Sequence, residues 1–218
     1  MILSTAYLPP IQWFTKLLGT EKSPDGACTV SVEACESYIK QTYRNRCIID
    51  SPTGPLSLTV PVEKPANGSR LIRDLRISEH GNWRHQHWQA LSSSYFNSPF
   101  FEYYQDDFRP FYEKKHDYLL DFNEALIAKC CELIDIHPRL QRTTEYQEKT
   151  IVSSDGIADF RDIISPKHDL SLDASFSPTP YYQVFSAKHG FLPNLSIVDL
   201  IFNMGPESII VLQNSSLQ

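Results

Sequence analysis

The chain has 218 residues, 41% hydrophobic and 21% charged, enough to bury one substantial core. Its formal net charge of −6 argues against a nucleic-acid binder, which needs a dominant basic field to neutralise phosphates. No apolar run approaches the ~18 residues of a transmembrane segment. Met1 to Ala6 has no basic signal-peptide start, and the five cysteines show no Cys-x-x-Cys pair. A cytoplasmic protein with reduced thiols, no structural zinc site and no disulfide framework is expected.

Ile2 to Ala6 forms a short strand, and Tyr7-Leu8-Pro9-Pro10 must then turn, because proline disfavours helix at the residue before it. Pro10 can open a short helix with Ile11, Phe14, Leu17 and Leu18 at helical spacing. A strand, a tight turn and a helix begin an α/β unit, where ligands sit beyond the strand's C-terminal end. No glycine-rich phosphate loop accompanies it. Lys22 to Gly26 is a turn and Cys28 to Val32 a buried strand. Arg46 to Asp50 and Leu56 to Val62 pair as a hairpin across Ser51 to Pro55, and Leu71 to Ile77 alternates like a further strand.

Lys40 to Cys47 stands out. If it is extended, Arg44 and Arg46 share one face and Asn45 and Cys47 the other. Two planar guanidiniums facing one way suit a bidentate grip on phosphate or carboxylate. The plain alternative is a solvated, salt-bridged edge strand.

Helices follow. Asn82 can cap a helix with Trp83, His87, Leu91 and Tyr95 on one stripe. Ser98-Pro99 starts another, crowded with aromatic residues from Phe100 to Tyr112 and limited by Pro110. Those aromatics either pack between helices or stack on sugars or bases. Asp117 to Ile134 is the strongest helix, with Asn123 the polar intruder on its apolar stripe. From Thr143 to Pro180 periodicity fails, leaving a long excursion with one helical turn near Ile157 to Ile164. Order returns at Tyr181 to Phe185. A last helix runs through Phe202, with Ser196 and Asp199 at capping-box spacing and Gly205-Pro206 as the stop. Ile209 to Leu212 is a strand or a helix.

His87 and His189 are candidate general bases near neutral pH, against the plainer reading of hydrogen-bonded structural histidines. Asp199 and Asn203 lie four apart on the last helix; capping accounts for Ser196 and Asp199 but leaves Asn203 unexplained.

In these blocks the chain resembles the WbqC-like family. The resemblance rests on Tyr7-Leu8-Pro9 with Phe14 and Lys16, Tyr43-Arg44-Asn45-Arg46 with Leu58 to Val62, and Trp83 with His87. It continues through Ser98 to Tyr104, Leu120 to Asn123 and Phe191 to Asn203. The chain is similar to a shortened form, with the excursion standing where longer members carry a glycine-rich stretch. The resemblance implies a role in bacterial O-antigen and other surface-polysaccharide biosynthesis, with transfer of an amino acid such as glycine proposed for the family. It carries no catalytic residue set.

One α/β domain spanning 1–218 is therefore expected: a mixed central sheet, a β-hairpin carrying the arginines and a helical middle third packed on it. The expected function is transfer of an acyl, aminoacyl or sugar group from an activated small-molecule donor. Arg44 and Arg46 would hold phosphate or carboxylate, Tyr7 and Asn45 would orient the acceptor, and Tyr43, Asn123, Asn194 and Asn203 are further substrate-binding candidates. His87 or His189 would serve as general base, and Asp199 is a further catalytic candidate. The alternative is a non-catalytic scaffold of the same pathway with an exposed aromatic surface around Phe100 to Tyr112. A third reading, an adenylate-binding enzyme of Rossmann-like architecture, rests on the strand–turn–helix opening alone. The sequence assigns no cofactor, metal or oligomeric state.

Overall fold

The structure, a computed structural model, describes residues 1–18, 29–63, 68–149 and 156–217. The turn expected at Lys22 to Gly26 lies outside them. Three short strands, β1 (Ile2–Ser4), β2 (Val30–Glu33) and β5 (Leu140–Arg142), form a parallel sheet in the order β1-β2-β5. Asp159 extends it beyond β1 through one parallel bridge at Ile2. Ile2, Leu3, Val30 and Val32 are buried, as strands covered on both faces require. β3 (Arg46–Ile49) and β4 (Leu56–Thr59) form a separate antiparallel ribbon with Cys47, Ile49 and Leu58 inward. The architecture is mixed α/β, with parallel and antiparallel pairing divided between two sheets.

The helices are α1 (Ile11–Thr15), α2 (Trp83–Tyr95), α3 (Phe101–Glu113), α4 (Leu119–Leu133), α5 (Ser186–His189), α6 (Ile197–Met204) and α7 (Ser208–Ser215). The core centres on α6, in which Ile197 to Asn203 are all buried. Phe202 meets the rings of Tyr95, Phe101 and Phe108 at 5.2, 5.1 and 5.3 Å. The opening turn locks onto this helix. Pro9 accepts the Ile197 N–H, Leu8 accepts the Ser196 hydroxyl, and Ile11 donates to Leu195. Those bonds hold Leu8 at φ +40°, a conformation disfavoured for a side chain with a Cβ.

Several expectations need correction. Leu71 to Ile77 is not a strand but a single turn at Ile72–Asp74. Its backbone changes partners midway, from Glu36 and Ala34 to Asp117, so no continuous ladder forms. β5 went unforeseen, being three residues long, polar and half-exposed. Ser196 caps α6, but Asp199 does not complete a capping box, because its carboxylate faces two tyrosines. Ile209 to Leu212 lies within α7. In the excursion, one α-turn closes between Phe160 and Ile164. Buried polar pairs anchor the rest: Lys16 Nζ lies 2.6 Å from Asp173, and Gln12 donates to the same carboxylate oxygen.

Gly205 ends α6 at φ +54°, and a Cβ there would lie 2.5 Å from the Phe100 ring. Gly205→Ala combines left-handed strain of about 1–2 kcal/mol with overpacking of about 1–3 kcal/mol. The expected outcome is a loss of at least about 2 kcal/mol, read as a lower urea midpoint with an unchanged m-value.

Candidate functional site

β1 and β2 run the same way, so Ser4 and Glu33 end side by side, and the chain beyond β2 places Glu36 next to them. Glu33 is fully buried and accepts from the Cys35 N–H, the Gln147 N–H, the Thr143 hydroxyl and Arg161 Nη1. Arg161 forks onto Asp159 with Nε at 2.9 Å and Nη2 at 2.6 Å. Burial opposes the Arg161 charge, but the Asp159 carboxylate outweighs it and holds the pKa above the usual arginine value.

Arg44, 4% exposed, forks onto Glu36 through Nε and Nη2, and Nη2 also donates to Ser4 Oγ. Nη1 has no hydrogen bond among the described residues and is not sealed from solvent. Beside it opens a cavity of about 270 Å³ lined by Cys35, Glu36, Ser37, Ile39, Arg44, Tyr146, Lys149, Arg161 and Asp162. It lies beyond the C-terminal ends of parallel strands, where α/β sheets hold ligands. The lining carries three cations (Arg44, Lys149, Arg161) and two anions (Glu36, Asp162), one net positive charge. Such a hollow can hold an anion and carries an exposed carboxylate, Asp162, beside Lys149.

Of the residues expected from the sequence, only Arg44 lines this crevice. It sits in a turn rather than a strand, so Arg46 does not share its face. Arg46 begins β3, half-buried, with Nε 3.2 Å from Thr59 Oγ1. Four others fix the turn that carries Arg44. Tyr7 donates its N–H to the Tyr43 carbonyl, Asn123 Nδ2 donates to the Arg44 carbonyl and Thr5 Oγ1, and Asn45 Nδ2 donates to Val60. Asn194 exchanges hydrogen bonds with Gln12, and Asn203 Nδ2 bonds the Asp199 carbonyl one turn back.

The three catalytic candidates lie elsewhere. His87 Nδ1 is 2.9 Å from the Tyr7 hydroxyl, which is 2.8 Å from that of Tyr112. Burial pushes His87 down to about 4, and a bond to the Thr59 carbonyl only partly offsets this. A neutral ring with its N–H on Thr59 leaves Nδ1 as the acceptor for Tyr7. Asp199 accepts from Tyr95 at 2.7 Å and Tyr181 at 2.6 Å; burial pushes it up to about 6, against those donors. Its neighbour Asp50 is also buried and raised by burial, with Oδ2 unpaired. His189 Nε2 contacts the Ser51 carbonyl of the hairpin loop. The aromatic run is mainly core, with Phe101, Phe108 and Tyr112 buried, while Tyr103 points outward with Phe96.

Glu36, Tyr146, Lys149, Arg161 and Asp162 were missed by sequence reasoning. The available signal was the strand-end rule applied to β1; nothing periodic marked the excursion that brings the last four. Among the described residues, no cluster of three or more His, Cys, Asp or Glu side chains is placed to hold a metal, and no helix is long and apolar enough to cross a membrane.

A mixed α/β fold with a charged crevice beyond the C-terminal ends of its parallel strands defines the class. The chain belongs to the WbqC-like protein family, whose profile matches residues 5–168, a span containing every crevice-lining residue. It is similar to an uncharacterized protein of Mycobacterium tuberculosis, Rv1507c: 27% identical over 189 residues, covering 78% of this chain and 81% of that protein. No solved structure matches.

Two predictions follow from these geometries. Arg44→Ala leaves Glu36 buried without its partner and is expected to cost about 3–5 kcal/mol, whereas Arg46→Ala falls within about 1 kcal/mol by urea denaturation. His87 and Asp199 carry opposite pH dependences. The depressed His87 contributes stability present above pH ~6.5 and lost as pH falls through about 4. The raised Asp199 contributes stability present below pH ~3.8 and lost as pH rises through about 6. Each amounts to about 3 kcal/mol. Asp199→Asn should therefore gain stability relative to wild type as pH rises from 4 to 6.5, and His87→Gln should lose it over the same window.

Proposed function

We propose that this protein is a transferase that moves an acyl, aminoacyl or sugar group from a phosphate-activated donor, in the cytoplasmic part of bacterial surface-polysaccharide (O-antigen) biosynthesis. Family membership supports the pathway, and the crevice supports the chemistry. The observation that carries the reading is Arg44: a buried guanidinium, fixed by Glu36 and Ser4, with one nitrogen left for the cavity. A donor group ordered before the ligand arrives stabilises charge with little reorganisation.

The expected roles change accordingly. Arg44 Nη1 and Lys149 hold the donor's phosphate, while Arg161 contributes field from a saturated position. Tyr7, Tyr43, Asn45 and Asn123 keep the Arg44 turn in place. An acceptor hydroxyl or amine attacks the donor carbon, and the carbon–oxygen bond to the phosphate breaks. The bonding pair leaves on the phosphate oxygen, and Asp162 takes the acceptor's proton. His87, His189 and Asp199 are structural in this scheme.

The test is a thermal-shift series with pyrophosphate and phosphate-activated sugar and acyl donors, on wild type and Lys149→Gln. Lys149 is exposed, so its loss leaves the fold intact. At least one donor should raise the melting temperature saturably, by an amount corresponding to about 2.7 kcal/mol at a hundredfold excess over Kd, with weaker binding in the variant. Shifts no larger than those from sodium chloride of equal ionic strength would remove the reading.

A further inference from the structure

We infer that the activating half of the donor is a nucleotide, its phosphate at Arg44 Nη1 and Lys149 and its base stacked on the open face of Tyr146. This rests on the transferase reading and deepens it by naming the chemical class of the group that leaves.

Tyr146 is 47% exposed, yet its ring does not stand free: the Arg161 guanidinium lies 5.2 Å from its centroid. Arg161 is itself buried, bound to Asp159, Glu33 and the Gln147 carbonyl. A rigid cation therefore backs one side of the ring, and the residue lines the cavity. Ile39, 50% exposed, lines the same cavity. A single exposed apolar side chain means nothing, but these two share one small hollow with a guanidinium. A pre-set aromatic wall loses little freedom when a second ring stacks on it.

The form of the anion follows from the donors that remain. Recognition of a planar carboxylate uses the forked edge of a guanidinium, and Glu36 already occupies the Nε–Nη2 edge of Arg44. What is left is a single Arg44 nitrogen and the ammonium of Lys149, two point donors suited to a tetrahedral phosphate. That ammonium is paired with the exposed Asp162 through one of its three N–H groups. One net positive charge in the lining gives a lone phosphate little to hold it, so most of the affinity has to come from a second contact. The exposed ring supplies it.

Calorimetric titration of the full chain with pyrophosphate, a sugar 1-phosphate and a panel of nucleoside diphosphates tests this, on wild type, Tyr146→Ala, Tyr146→Phe and Lys149→Gln. At least one nucleoside diphosphate should bind about tenfold tighter than pyrophosphate or the sugar phosphate, and Tyr146→Ala should remove about that factor. Tyr146→Phe should retain it, pyrophosphate affinity should be the same in all three Tyr146 forms, and Lys149→Gln should weaken both ligands. Nucleotides no tighter than pyrophosphate, a sugar phosphate equal to them, or Tyr146→Ala without effect on nucleotides would each overturn the inference. If pyrophosphate still binds and responds to Lys149→Gln, the nucleotide assignment alone has failed. If no phosphate compound binds, the transferase reading fails with it.

Discussion

Two carboxylates have to be neutralised where the parallel strands end. Glu33 and Glu36 are both buried there, and an ionised carboxylate taken from water costs several kcal/mol unless it is paired and hydrogen-bonded. Arg161 and Arg44 meet that requirement, and doing so fixes much of the molecule's form. Arg161 comes from the irregular segment following β5, so its pair with Glu33 draws that segment across the end of the sheet. Arg44 comes from the turn before β3, so its pair with Glu36 sets the antiparallel ribbon against β1. The crevice is the space these two commitments leave between them.

The other buried polar groups serve packing of a different kind. α6 is apolar on nearly every side, and its one acid, Asp199, is surrounded by Tyr95 and Tyr181 rather than by a cation. Its charge is disfavoured there, which is why burial lifts its pKa, while the same dry surroundings depress His87. Their hydrogen bonds tie α2, α3 and α6 to the opening turn and to the segment before α5. A hydrogen-bonded polar cluster of this kind specifies a core.

The helical half of this arrangement was legible because helices announce themselves through an apolar stripe, a cap and a stop. Ser196, Gly205 and Pro206 bracket α6, and the Leu119 to Leu133 stripe marks α4. The hairpin was legible from its turn residues. The Arg44–Arg46 pairing was not: alternation holds only within a strand, and β3 begins at Arg46, with Arg44 still in the preceding turn. The excursion was illegible for a related reason. Its order depends on long-range ion pairs such as Arg161 with Glu33 and Asp173 with Lys16, separated by more than a hundred residues and carrying no local period. Residue type singled out Arg44, and the strand-end rule pointed to the end of the sheet where the crevice opens. Neither could find the opposite wall.

What separates the proposed binding crevice from the other buried polar groups is an unpaired group together with room for a ligand. Asn45 Oδ1, Asp50 Oδ2, Asn123 Oδ1 and Asn203 Oδ1 are unpaired but enclosed. Lys16 is a buried cation but is occupied by Asp173, Ser175 and the Phe160 ring. Arg44 meets both conditions: three of its N–H bonds are committed, and the residue lines a cavity shared with Lys149 and Tyr146. The carboxylate of Glu36 lowers the affinity of that guanidinium for a free anion by neutralising it, yet it also holds the guanidinium still. Under the proposed reading, a weak but rigid anion contact discriminates by what else the ligand touches, which assigns specificity to the aromatic wall.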